Sequence, residues 1–414
     1  MYQDPAINPS LENMKEACAA AGHPERAYSI IQITGTNGKT STARIIEQLL
    51  IAEGVKTGLY TSPSLNCETE RIRVDGTDIS ADDLAHARIA ARKAAASVDL
   101  RLSDFEEMTL AMFIHFRNQQ IDFAVVEVGM GGRWDATSAA DPAVAVITAV
   151  GLDHQEFLGD TVEEIAFDKS HIIKPGASVV LGQSLFSEHA PHIADVFMAR
   201  AKKFGLYPRV VDDMAYQMYR SSALLTGFSV NTLHQNYTDL QVAAPSYQAS
   251  NAATALFATE AALGRALDPE KARSAIARTV FPGRFEVVRR DPLLIFDGGH
   301  NPAAASILAD LIREATDEEL AGEKPIIILG VLADKDVKSM IRVLAPVADS
   351  FMTIEPLSPR AISAEHLAVL VEQVTDKSCV AMDGLCQALN TTGKQPVIVT
   401  GSLSLYPLLQ SISL

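Results

Sequence analysis

Thr34-Gly35-Thr36-Asn37-Gly38-Lys39-Thr40-Ser41 follows the apolar run Tyr28-Ser29-Ile30-Ile31-Gln32-Ile33 and opens a helical run from near Thr40 to near Glu53. Strand, glycine turn, lysine with hydroxyls, then helix is the order that builds a polyphosphate cradle. Gly35 and Gly38 let backbone N–H groups point inward without Cβ interference, and Thr36 and Asn37 complete the turn. Lys39 adds a cation, the helix N-terminus adds partial positive charge, and a hydroxyl of Thr40 or Ser41 is available to Mg²⁺. The common phosphate-loop pattern places four residues between its glycines; here only Thr36 and Asn37 intervene, so a narrower pattern is met.

Outward from this turn the chain alternates strand and helix. Lys56–Tyr60, Phe123–Val128 and Ala143–Thr148 read as strands. Residues 81–96 and 104–119 have helical periodicity behind Ser80 and behind Ser103 or Asp104. Continuous apolar strands between helices predict a parallel sheet covered on both faces. Residues 205–245 carry shorter β-like runs, and two helices follow, at about 246–264 and 268–278. A second alternation starts at Leu293–Phe296 and runs through a helix from Pro302, the strand Ile326–Leu329 and a helix near 336–346 to Val397–Thr400. The expected fold is α/β: a large parallel-sheet P-loop ATPase domain, residues 1–290, plus a smaller Rossmann-like doubly wound C-terminal domain, residues 291–414. Arg289-Arg290-Asp291-Pro292 is the expected hinge, and a cleft between the domains is where a two-substrate enzyme would place its reaction.

The 414 residues suit two cores, and 48% hydrophobic with 21% charged residues is ordinary globular composition. A net charge of −16 argues against a nucleic-acid partner. No apolar run approaches a membrane span, and Met1-Tyr2-Gln3-Asp4-Pro5 does not read as a signal peptide, so the cytoplasm is expected, with no membrane partner. Cys18, Cys67, Cys379 and Cys386 are scattered, as reduced thiols are.

Further chemistry gathers at predicted strand ends. Glu127 ends a buried strand before Gly129-Met130-Gly131-Gly132-Arg133 and is placed as a Mg²⁺ ligand, directly or through water. The glycines there also match a dinucleotide fingerprint weakly, because Arg133-Trp134-Asp135 opens no helix. Gly151-Leu152-Asp153-His154 follows the next strand, and His154 suits a metal ligand. Lys169 lies near the end of a helix capped by Thr161 or Asp160 with Glu164. A cation at a helix end is favoured by the dipole alone. Asp297-Gly298-Gly299-His300-Asn301-Pro302 brings carboxylate, imidazole and helix N-terminus together, as nucleotide or phosphate contact requires. Arg284 is placed to reach phosphates.

Together these segments resemble the folylpolyglutamate synthase/dihydrofolate synthase family, within the Mur-ligase superfamily of ATP-dependent amide-forming ligases. The resemblance runs in order through Gly35–Lys39, Tyr60–Pro63, Glu70–Gly76, Glu127–Thr137, Gly151–His154 with Leu158–Thr161, and Ile172–Gly176. It closes with Pro282–Glu286, Asp297–Pro302, Gly330–Asp336 and Thr400–Leu403. It implies that Lys39 and the loop amides hold ATP phosphates, with Ser41, Glu127 and His154 on Mg²⁺. Lys169 falls where the family carries a lysine modified by CO₂ to a carbamate. Asn251 matches an adenine contact, and Arg284, Asp297 and His300 match nucleotide contacts; catalysis is expected from Lys39, Lys169, Asp297 and His300. Ser62, Pro63, Arg71 and Arg73 match the folate-side wall. The chain departs from the family at Thr40, usually glycine, at Ser64, commonly histidine, and at Trp134, more often leucine.

The implied reaction joins L-glutamate to a folate or dihydropteroate carboxylate with ATP, by a monomer, through an acyl phosphate that domain closure shields from water. Its rivals are a ligase that only extends polyglutamate, a cell-wall muramyl ligase, and a nucleotide-binding regulatory module.

Overall fold

Strands rich in isoleucine and valine bury both faces only when helices cover the sheet on two sides, and this sets the architecture. The structure, a computed structural model, describes residues 10–186, 192–221, 224–318, 320 and 322–412, so the reading of Met1–Pro5 lies outside the described residues. Two compact units are present. One comprises the chain to Tyr219 with Gly227–Gln241 and Tyr247–Thr279; the other comprises Arg220–Thr226, Val242–Ser246 and the chain from Val280.

The first unit holds an eight-stranded sheet made of β1 (Ser29–Thr34), β2 (Thr57–Tyr60), β3 (Ile72–Val74), β4 (Thr77–Asp78), β5 (Phe123–Glu127), β6 (Val144–Ile147), β7 (Ser178–Leu181) and β8 (Arg209–Val210). Its order is β4-β3-β2-β5-β1-β6-β7-β8. Only the β2–β3 and β3–β4 pairs are antiparallel. β1 pairs β5 on one side, with Ile33 beside Glu127, and β6 on the other, with Thr34 beside Ile147. The turn after β1 therefore emerges between the turns after β5 and β6, the crevice where open α/β sheets bind ligands.

Ile31 and Ile33 of β1 are fully buried. One core cluster includes Met14, Tyr60, Phe113 and Phe116, and another includes Ile147, Leu181 and Phe197. The helices Ala81–Ala96 and Asp104–Gln119 start where expected because Ser80 accepts the Asp83 N–H and Ser103 forms a reciprocal capping box with Glu106. The β-like stretch resolves into a three-stranded sheet of β9 (Tyr216–Ser221), β10 (Thr226–Asn231) and β11 (Asn236–Val242), in the order β11-β10-β9.

The second unit holds β12 (Glu286–Arg290), β13 (Leu293–Asp297), β14 (Ile326–Leu329), β15 (Phe351–Thr353), β16 (Cys379–Ala381) and β17 (Val397–Thr400), in the order β12-β13-β17-β14-β15-β16. β12 runs antiparallel to β13, and every other pair is parallel. This pairing corrects the expected hinge. Arg289-Arg290-Asp291-Pro292 lies at the turn of the β12–β13 hairpin, with Arg290 directly opposite Leu293. No helix among the described residues is long and apolar enough to cross a membrane, and all four cysteines are free.

Candidate active site

The helix Lys39–Ala52 begins one residue earlier than its periodicity suggests, with Gly38 in the left-handed region at φ 85°. A Cβ on Gly38 would come within 2.6 Å of Asn251 Oδ1, so glycine is required both by conformation and by space. The turn is fastened to the chain after β6. Thr36 donates its backbone N–H to Ala149 O at 2.6 Å and its hydroxyl to Gly151 O at 3.0 Å, and Thr148 Oγ1 donates to Asn37 O at 2.7 Å.

Two lysines converge on one carbonyl. Lys39 Nζ donates to Gly35 O at 2.9 Å and to Thr36 O at 3.3 Å, while Lys169 Nζ donates to Gly35 O at 3.1 Å. Lys169 is 4% exposed. Burial, reinforced by the Lys39 charge, pulls its pKa down from 10.5 to about 7, against the opposing fields of Asp168, Asp153 and Asp135. Near pH 7 its amine is therefore about half neutral, unlike an ordinary helix-end lysine.

Glu127, at the end of β5, is 1% exposed. Thr40 Oγ1 donates to both of its oxygens at 2.9 Å, and the Ser62 N–H donates to Oε2 at 3.4 Å. Ser41 points elsewhere: it is buried and its hydroxyl accepts from Gln248 Nε2 at 3.0 Å. Of the two hydroxyls the sequence offered, Thr40 is the one bonded to Glu127, and Ser41 is the one bonded to Gln248. Mg²⁺ prefers one or two protein oxygens beside water and phosphate, and a carboxylate with an adjacent hydroxyl fits that demand. His154, with backbone φ 52°, holds Nε2 3.8 Å from Asp153 Oδ2. Among the described residues no group of three or more His, Cys, Asp or Glu side chains is arranged to hold a metal.

The loop after β5 is built around two carboxylates. Asp168 Oδ1 accepts the N–H groups of Gly132 at 2.9 Å and Arg133 at 3.2 Å, and a Cβ on Gly131 would lie 2.1 Å from that oxygen. Asp135 accepts from Met130 N–H and from the N–H and hydroxyl of Thr137. Burial raises its pKa and these bonds oppose the rise.

Arg71 and Arg73, expected on the substrate side, bond within the fold. Arg71 is buried, donating to Tyr60 OH at 2.7 Å with its guanidinium 5.5 Å from the Phe105 ring centre. Arg73 pairs with the fully buried Glu47 at 3.1 Å and with Asp78 at 3.1 Å, and also donates to Gly76 O. Ser62 stays beside Glu127, and Pro63 follows it through a cis peptide bond.

Gln248 escaped the sequence reading. Its side chain accepts from Asn251 Nδ2 at 2.9 Å and donates to Ser41, linking the helix Ser246–Leu263 to the first turn after Gly38. A glutamine in a run of alanine, threonine and leucine was the available signal. Asn251 thus sits against the glycine turn.

In the second unit, Asp297 ends β13 and is 8% exposed. It accepts the N–H of Gly299 at 2.8 Å and of Phe285 at 2.9 Å. Burial pushes its carboxyl up, and the Arg284 charge pulls it back. His300 Nδ1 lies 3.2 Å from Gly298 O, and Asn301 Oδ1 accepts the Ala304 N–H at 2.8 Å at the start of the helix Pro302–Glu318.

Known proteins are similar to this chain in sequence and in fold. Residues 33–259 match the Mur ligase middle domain and residues 283–403 the Mur ligase glutamate ligase domain. A dihydrofolate synthase/folylpolyglutamate synthase of Mycobacterium tuberculosis is 34% identical over 393 residues, spanning 89% of this chain and 78% of the relative. The structure of E. coli FolC in complex with DHPP and ADP is similar with a TM-score of 0.85 at 28% identity, covering 98% of this chain and 93% of that one. A bifunctional folylpolyglutamate synthase/dihydrofolate synthase with Mn, AMPPNP and L-glutamate bound gives a TM-score of 0.83 at 29% identity, covering 98% of this chain and 94% of that one. Glycine turn, paired lysines and strand-end carboxylates, read with these matches, place the chain in the Mur ligase family, among the dihydrofolate synthases/folylpolyglutamate synthases.

Proposed function

We propose that this chain is an ATP-dependent ligase that joins L-glutamate to the carboxylate of a folate or dihydropteroate, acting as both dihydrofolate synthase and folylpolyglutamate synthase. The observation that carries the reading is the convergence of Lys39 and Lys169 on the Gly35 carbonyl, beside the Thr40–Glu127 pair. The FolC structure with DHPP and ADP and the relative with AMPPNP and L-glutamate support it.

An unactivated carboxylate cannot lose oxide to an amine. The acceptor carboxylate therefore attacks the γ-phosphorus of ATP in line, the bond from γ-phosphorus to the bridging oxygen breaks, and ADP leaves. The resulting acyl phosphate is attacked by the neutral α-amine of glutamate. The tetrahedral intermediate expels phosphate, the amine gives up its proton, and an amide remains. The N–H groups of the Gly35–Lys39 turn would cradle the phosphates, and Lys39 would swing from the Gly35 and Thr36 carbonyls to the charge developing on the transferred group. Thr40 and Glu127 would hold the divalent ion, here assigned as Mg²⁺, with His154 nearby; bound there, it would neutralise phosphoryl oxygens. The neutral form of the Lys169 amine is suited to add CO₂, releasing one proton and leaving a carbamate anion beside the turn. In the second unit, Arg284, Asp297 and His300 are the proposed nucleotide-directed residues.

The test is ADP release in the presence of ATP and glutamate with dihydropteroate, tetrahydrofolate or a UDP-muramyl acceptor. Release with both pterins is the expected result. Release with tetrahydrofolate alone leaves only the polyglutamate activity, and release with the muramyl acceptor alone overturns the assignment. No release above background with any acceptor marks a regulatory nucleotide-binding module instead.

A further inference from the structure

The loop after β2, from Thr61 to Arg71, is closed at its base and within itself. Thr61 donates its N–H to Arg71 O at 3.0 Å, and the Glu70 carboxylate accepts the N–H groups of Leu65 at 2.9 Å and Asn66 at 3.1 Å. Arg88, on the helix Ala81–Ala96, ties this closed turn to the body of the unit. Its Nη1 donates to Glu68 at 2.8 Å, its Nε donates to Glu107 at 2.6 Å, and its Nη2 donates to Asp104. Glu107 and Asp104 belong to the helix Asp104–Gln119, whereas Glu68 belongs to the loop. A guanidinium carries five N–H donors in a fixed plane, so one side chain here joins its own helix, the helix Asp104–Gln119 and the loop.

We propose that Arg88 is a positioning residue that latches the 61–71 loop through Glu68 and thereby sets the enzyme's affinity for its anionic acceptor, touching neither acceptor nor nucleotide. The inference rests on the proposed ligase reaction and on the expectation, from the family resemblance, that Ser62 and Pro63 line the acceptor side. The latch favours acceptor binding by fixing a loop whose first residues lie against Glu127, where the Ser62 N–H reaches Oε2 at 3.4 Å.

A single exposed ion pair contributes little to stability, so its loss shows in acceptor binding rather than in folding. Glu68 and Asp104 are each about half exposed, at 50% and 51%, and their replacement leaves no buried charge unpaired. Arg88→Ala would strand the nearly buried Glu107, so the informative variants are Glu68→Ala, which cuts the loop arm, and Asp104→Asn, which cuts an arm that never reaches the loop. With Glu68→Ala the KM for the acceptor should rise roughly 3- to 10-fold while kcat and the KM for ATP stay within about twofold. Asp104→Asn should leave all three near wild type. An unchanged acceptor KM in Glu68→Ala, a parallel rise in the KM for ATP, or an equal rise in Asp104→Asn would each overturn the latch. Wild-type turnover with the same acceptor separates the two ideas: its absence would overturn the proposed reaction and the latch together.

Discussion

Lys39→Ala should lower kcat by roughly a thousandfold while thermal unfolding stays close to wild type. Lys39 is the first residue of its helix, and its amine donates to the Gly35 and Thr36 carbonyls. Removing it does not orphan Gly35 O, because Lys169 still donates to that oxygen at 3.1 Å. The fold should therefore tolerate alanine, while the transferred phosphoryl group loses a directed cation at the point where charge develops. Steady-state ADP release beside a calorimetric melt measures both halves of the expectation. A near-normal kcat would remove Lys39 from the chemistry, and a collapsed melting temperature would assign it a structural role.

Lys169→Met should abolish turnover and yet stabilise the protein at pH 6. The folded-state pKa of about 7 lies below the ordinary value of 10.5, so between these values the unfolded chain binds more protons than the folded one. Stability from this group accordingly rises with pH from about 7 to about 10.5, and the cost of the buried ammonium is fully present below pH 7. Methionine fills similar space without charge and removes that cost, on the order of 5 kcal/mol at pH 6 and less at pH 9. The activity loss follows if the amine serves as a carbamate. Depleting wild-type enzyme of CO₂ should then lower its rate, and bicarbonate should restore it; the methionine variant should respond to neither. Equal melting gains at pH 6 and pH 9 would contradict the buried-amine reading, and full activity in Lys169→Met would contradict the catalytic one.

Much of the fold was legible because local chemistry and tertiary packing agree. Ser80 and Ser103 announce the helices that they cap, and the apolar runs of β1, β5 and β6 read as covered strands because both of their faces are buried. The site was legible where it hangs on strand ends: Glu127, Lys39 and Asp297 each follow from a strand and the turn after it. What was not legible depends on partners distant in sequence. Thr40 and Ser41 differ by about 100° around the helix, and only the pairing of β1 with β5 determines which hydroxyl meets Glu127. Arg73 looked like a substrate contact until β3 folded beside the helix Lys39–Ala52 and delivered it to Glu47. The supposed hinge failed for a related reason. Two short runs flanking Asp291-Pro292 read equally well as a linker and as a hairpin, and antiparallel pairing of β12 with β13 decides the matter. Gln248 was hidden because a buried amide on an apolar helix betrays itself only through its partners Ser41 and Asn251.

The central claim is that the short glycine turn after β1 holds the ATP triphosphate, with the metal on the threonine side of the helix start. A crystal structure of this protein with a non-hydrolysable ATP analogue and Mg²⁺ tests it most directly. The account predicts phosphate oxygens within about 3 Å of the backbone N–H groups of Gly38 and Lys39, and the ion bound by Thr40 Oγ1 on the Glu127 side. A triphosphate lying away from Gly38 and Glu127, or an ion bound by Ser41, would contradict it.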